Sequence, residues 1–190
     1  MGEPEAKHGI ATIVFKSQVL KKDFEKVAES VGLIGNRRMS KAATRTYPRS
    51  VYESKHGTVT LVNDEPLELD YVEIDMPNFE TVANLLRTSF PTYTMGDVTS
   101  LGRSSSWQDR DLAFRILSEL HEVAFDRELC EILTKSIEDE SLDCSNALLA
   151  ASQLSWRQLR PIVNRAAERH GNDALGNLAW NMLRSSEWNR

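Results

Sequence analysis

RELCEIL, residues 127 to 133, and RQLRPIV, residues 157 to 163, carry one helical pattern twice: Arg127, Leu129, Ile132 and Leu133 return thirty residues later as Arg157, Leu159, Ile162 and Val163. A two-helix unit repeated at this spacing buries its apolar stripe only against its neighbours, so the second half of the chain is read as stacked helix pairs. Two more matches extend the pattern. Ile116 and Leu117 align with Leu148 and Leu149 thirty-two residues on, and these with Leu178 and Ala179 at a step of thirty. Helices are expected over residues 107–123, 126–139, 143–154, 156–170 and 173–186, with short connections that make neighbours antiparallel. Cap chemistry agrees: Ser155 precedes Trp156 with Gln158 three residues on, His170 and Gly171 end a helix, and Asn172 begins the next. Pro161 should kink its helix after the first turn.

Upstream, the composition changes near residue 105. Seven of nine glycines and five of six prolines precede that point, and strand-like alternation ends there, which places a domain boundary between 1–105 and 106–190. The junction Gly102 to Ser106 has linker chemistry, and Ser106 with Asp109 reads as an N-cap. In the first half, Ile10 to Phe15 is an apolar run fit for a strand buried on both faces. Ser17 is placed to cap a helix whose face is Leu20, Phe24, Val27, Ala28 and Val31 and whose end is Gly32. Residues 51–53 and 58–62 flank Lys55, His56 and Gly57 as a hairpin, with glycine where φ must be positive. Leu67, Leu69 and Tyr71 then face one way and Val72, Ile74 and Met76 the other, which predicts a bulge near Tyr71. Asn78 caps a helix carrying Phe79, Val82, Ala83, Leu86 and Phe90, Pro91 stops it, and residues 93–98 read as a last short strand. With residues 67–76 counted beside the hairpin, the order β, α, β, β, β, α, β is read as a ferredoxin-like split βαβ sheet carrying one more strand. The expected fold is therefore α+β: a ferredoxin-like α/β sandwich followed by an all-α bundle.

Two-helix units of about thirty residues with a proline early in one helix resemble the short HEAT-like repeats found in many bacterial proteins, over residues 107–190. The resemblance implies a surface that binds a protein, and it implies no reaction. The array departs from long family members in having only about two and a half units, which leaves a small groove. The plain alternative is that these helices only complete a core with the first domain.

Charge is distributed unevenly along a chain of net charge -5. No acid occurs between Glu29 and Glu53, where Arg37, Arg38, Lys41, Arg45 and Arg49 form a basic stretch; such a loop can neutralise phosphates, and it is the candidate for nucleic-acid contact. Its only aromatic company is Tyr47 and Tyr52, a thin stacking platform. No base occurs between Lys55 and Arg87, where Asp64, Glu65, Glu68, Asp70, Glu73 and Asp75 crowd one hairpin. The early repeat helices are acidic as well. Glu122, Glu128, Glu131 and Asp139 are the candidate partner-binding residues, since complementary charge speeds encounter with a basic partner and rejects wrong ones. Trp188 is the candidate exposed anchor, whereas Trp180 is expected to pack between units.

No reaction is written in the chain. His8, His56, His121 and His170 are scattered, and none forms an H-E-x-x-H pair. His170 is expected to act as a cation at a helix C-terminus. Cys130 and Cys144 lack zinc spacing, and Cys144, near a helix start, is expected to be packed and not reactive. The Asp64 to Asp75 carboxylates lack the spacing of a calcium loop, and no Gly-rich phosphate loop appears. Arg37, Arg38, Met39 and Ser40 fit a basophilic kinase pattern of a kind that arises often by chance. No catalytic, metal or cofactor site is assigned. No apolar run is long enough to span a membrane, and residues 1–9 have neither signal-peptide nor anchor character. The expectation is a cytoplasmic, non-catalytic protein-binding module of the inhibitor or toxin-neutralising immunity type. The alternative is a regulatory domain that binds nucleic acid through Arg37 to Arg49.

Overall fold

The structure, a computed structural model, describes residues 8–38, 49–65, 67–77, 79–120, 123–139 and 143–185. It divides into two compact units, Met1–Tyr93 and Thr94–Arg190. The division lies upstream of the compositional break at 105, because the intervening residues fold as a helix that packs on other helices.

In the first unit, β1 (His8–Val14) leads to α1 (Lys21–Ser30), then to β2 (Ile34–Arg38), β3 (Arg49–Ser54), β4 (Gly57–Asp64), β5 (Leu69–Pro77) and α2 (Glu80–Ser89). The sheet order is β1-β5-β4-β3-β2, with every neighbouring pair antiparallel. The class is α+β as expected, but the strand sequence is not that of a ferredoxin-like fold. Four strands follow one another as a meander, and β1 closes the far side of β5. Residues 93–98 do not make a strand: Thr94 accepts from the Asp97 backbone while Asp97 accepts from the Thr94 backbone, a capping box that starts a helix.

Alternation along the strands puts Ile13, Val59, Leu61, Val72, Ile74 and Met76 on one face, where Phe24 and Ala28 of α1 and Val82, Ala83 and Leu86 of α2 complete a core. Phe24 ties the layers, its ring 5.0 Å from Tyr52 and 6.2 Å from Phe90. The register of β5 is unbroken against both neighbours, so the predicted bulge at Tyr71 is absent. Leu69 and Tyr71 are simply the apolar end of the opposite face, which turns polar at Glu73 and Asp75. The irregularity lies instead in β2, between Ile34 and Arg37. Nor is β1 buried on both faces throughout: Ile13 and Val14 are, while Ile10 is 51% exposed on an edge strand.

Turns are set by residues the sequence advertises. Gly32 ends α1 at φ +73, with its N–H on the Glu29 carbonyl. Gly57 (φ +154) closes the two-residue hairpin, and any Cβ there would run into the Asp75 carbonyl and Met76. Leu20, and not Ser17, occupies the N-cap of α1, and no side chain caps it. Asn78 lies outside the described residues.

The second unit is helical: α3 (Met95–Gly102), α4 (Trp107–Glu119), α5 (Arg127–Glu138), α6 (Cys144–Leu154), a 3-10 turn (Arg157–Leu159) running into α7 (Arg160–His170), and α8 (Ala174–Arg184). Sequential pairs pack together, α3 with α4, α5 with α6, α7 with α8. Alternate helices also touch, α3–α5–α7 in one layer and α4–α6–α8 in the other. The thirty-residue echo is visible in burial: Leu129, Leu133, Ser136 and Ile137 of α5, and Leu159, Val163, Ala166 and Ala167 thirty residues on, all face inward. Between α4 and α6 the buried positions recur at thirty-four residues, Ala113, Phe114, Ile116 and Leu117 matching Ala147, Leu148, Ala150 and Ala151. Leu149 therefore faces outward, 39% exposed.

Ser106 caps α4 as expected, and Asp173, in place of Asn172, caps α8. Ser155 does not start a helix. It ends α6 in the left-handed region at φ 49, the position usually given to glycine. Pro161 stands in the first turn of α7, where its missing N–H leaves no gap and the 3-10 turn gives way to α-helix. Among the described residues no helix is long and apolar enough to cross a membrane.

Candidate functional site

Asp126 starts α5 by accepting the Leu129 N–H at 3.0 Å, and the helix buries Leu129, Cys130, Leu133, Ser136 and Ile137. Its outer face is left with Glu128, Glu131, Lys135, Glu138 and Asp139. The structure engages most of these carboxylates within the chain. Glu128 pairs with Arg103 at the end of α3, Glu131 with Arg127 at 2.9 Å one turn back, and Glu138 with Arg165 of α7. Arg169 adds a bond to the Glu138 carbonyl at 3.1 Å. The acidic face of α5 and the arginines Arg165 and Arg169 of α7 thus meet within one layer. Surface pairs of this kind contribute about 0–1 kcal/mol each, so their charges remain exchangeable with those of a partner. Glu122 and Trp188 lie outside the described residues.

Asp139 is exposed and lines a cleft of about 410 Å³ where the end of α3, the start of α4 and the last turns of α5 meet. Arg103, the partner of Glu128, lines it too, so of the predicted acidic residues Asp139 stands in the cleft itself and Glu128 is tied to one of its lining cations. Lys135 and the hydroxyl-bearing Ser104, Ser105 and Ser136 complete its polar wall. Gly102 of α3 lies against Ile132 of α5 here. The floor is fixed by Arg110, whose Nε donates to Asp143 at 2.8 Å and whose Nη1 donates to the Ser104 and Ser105 carbonyls at 3.0 and 3.2 Å. Asp143 has no exposed side-chain surface, and the Ser136 hydroxyl lies 3.3 Å from it. A buried carboxylate held this way sets the geometry of the linker and of both helices it joins. The cleft therefore presents cations, hydroxyls and a carboxylate together, the equipment for recognising polar and charged side chains. Arg103, Arg110 and Lys135 escaped the sequence reading; the available signal was an arginine in the first turn of a helix following a serine-rich linker.

The basic stretch is distributed differently. Arg37 and Arg38 end β2, Lys41 and Arg45 lie outside the described residues, and Arg49 opens β3 with its guanidinium 3.8 Å from Glu73. The neighbouring acids are largely structural. Asp64 is buried and accepts the Leu67 N–H at 3.1 Å, and Asp70 accepts the Val19 N–H at 2.7 Å.

Cys144 is buried with its Sγ 4.0 Å from the Ile137 carbonyl, and burial raises the pKa of Cys130. His170 ends α7 with Nδ1 3.0 Å from Asp173; that carboxylate is held below its ordinary pKa first by the Gly176 N–H it accepts and then by the His170 ring. Trp156 is buried, its Nε1 donating to the Val123 carbonyl at 3.2 Å and its ring edge-on to Phe125. Trp180, expected to pack between units, is 39% exposed, while Ala179 and Met182 beside it are buried. Trp107, at the start of α4, is 41% exposed. No protein family, curated protein or solved structure matches the chain significantly.

Proposed function

We propose that the helical unit is a short HEAT-like array whose α5 face binds a basic protein segment, and that the protein is a non-catalytic inhibitor or immunity-type module working in the cytoplasm. The observation that carries this reading is the coincidence on α5 of exposed, exchangeable carboxylates with a formed polar cleft. Glu131 is two-thirds exposed and Asp139 sits on the cleft rim, while Arg110 and Asp143 hold the surface in shape from below. A preorganised patch loses little conformational entropy when a partner docks. Lysines or arginines of the partner would displace Arg103 and Arg127 from Glu128 and Glu131, and the displaced cations would remain solvated.

The test is capture of a partner by the full chain, repeated with Glu128, Glu131 and Asp139 all reversed to lysine. Binding that is lost in the reversed variant, with an unchanged far-UV spectrum, supports the reading. Salt-sensitive retention on nucleic acid that disappears when Arg37, Arg38 and Arg45 become alanine would move the function to the basic stretch instead.

A further inference from the structure

We propose that two copies of this chain pair through the outer edge of β1, antiparallel and related by a twofold axis at Ile10, to make one continuous ten-stranded sheet. The argument starts from which backbone groups of β1 are used. Phe15 donates its N–H to the Asp70 carbonyl, so the odd-numbered residues of this strand turn their N–H and C=O toward β5. Even-numbered residues turn theirs outward. Beyond β1 that outer edge is closed by the chain after α2: Tyr93 donates to the Val14 carbonyl and Lys16 to the Pro91 carbonyl, both at 2.9 Å. His8, Ile10 and Thr12 have no backbone partner on that side among the described residues.

The two ends of the sheet are built differently. β2, the other edge, is only five residues long, is interrupted by a bulge between Ile34 and Arg37, and ends in two arginines. Short length, a bulge and like charge are the usual protections against edge-to-edge pairing. β1 has none of them. Its seven residues, HGIATIV, contain no lysine, arginine, acid or proline, and its register against β5 is regular from end to end.

Self-pairing also fits the positions available. With the axis at Ile10, Ile10 meets its own copy and His8 meets Thr12 of the copy in both directions, which gives about six backbone hydrogen bonds. This register stops short of Val14, where the Tyr93 segment already occupies the edge. Ile10 is 51% exposed, and the pairing covers it with an identical side chain on the same face. An uncharged strand brings no repulsion to the axis, whereas β2 carries two arginines at its end. An interface of one strand pair is small, so the dimer forms and dissociates with concentration.

Sedimentation velocity of the full chain over the micromolar to sub-millimolar range tests the proposal. The wild type should shift from 21.5 kDa toward about twice that mass as concentration rises. Ile10→Pro removes an outward N–H and leaves every β1–β5 bond in place, and Ile10→Lys sets two like charges on the axis. Both should remain monomeric, and Ile34→Lys on the opposite edge should dimerise like the wild type. If proline prevents folding, the lysine variant decides alone. A wild type that stays monomeric throughout, dimerisation retained in a folded Ile10 variant, or equal loss with Ile34→Lys overturns the proposal.

Discussion

Tyr52 shows how one side chain makes the sheet unit sensitive to pH. It is buried against Phe24, and its pKa is pushed up to about 12, first by burial and then by the charge of Glu25. The folded state holds this proton more tightly than the unfolded chain, whose phenol titrates near its ordinary 10.0. Tyr52 thus contributes stability that is full below pH 10 and is lost as pH climbs through about 12. Replacing it by phenylalanine removes the ionisation and keeps the packing. In thermal melts at rising pH the wild type should therefore lose midpoint faster than Tyr52→Phe across this alkaline range; parallel curves would refute the assignment. At this scale the sequence is easily misread. Ser155 has the chemistry of an N-cap, yet it occupies a left-handed C-cap, because the chain must reverse between α6 and Trp156 and no glycine is at hand.

At the scale of elements, the helices from residue 107 onward were legible because periodicity and caps agree: Ser106, Asp126 and Gly171 stand where starts and stops belong. α3 was not. Tyr93, Met95 and Val98 imitate a strand edge, and only the T-x-x-D capping box from Thr94 to Asp97 reveals the helix. β2 was hidden for a similar reason, since a short, bulged edge strand ending in Arg37 and Arg38 shows no alternation. The cleft was invisible to sequence because it depends on Arg110 reaching Asp143, thirty-three residues away. That contact carries a prediction. Arg110→Met removes the cation facing a carboxylate with no exposed surface, at a cost of about 3–5 kcal/mol. Adding Asp143→Leu should restore most of this loss, because a well-packed apolar pair is often as stable as the buried ion pair it replaces. Denaturant midpoints of the single and double variants check it, and a single variant within about 1 kcal/mol of wild type would show that the linker geometry rests on other contacts.

The whole molecule contains two cores, and its aromatic residues report on them separately. All four tyrosines, Tyr47, Tyr52, Tyr71 and Tyr93, fall in the first unit, and all four tryptophans, Trp107, Trp156, Trp180 and Trp188, in the second. Each unit also has a glycine that tolerates no side chain. In the first, Gly57 lies against Asp75 and Met76 of β5; in the second, Gly176 lies against the backbone of Gly171. An alanine at either position forces backbone apart and should destabilise its own unit by more than about 1 kcal/mol. If each unit unfolds as its own cooperative block, Gly57→Ala lowers the midpoint seen by tyrosine second-derivative absorbance and leaves tryptophan fluorescence where it was. Gly176→Ala does the reverse. Should both signals move together in both variants, the two cores unfold as one block, and a change on α5 or at the β1 edge would then be read throughout the chain.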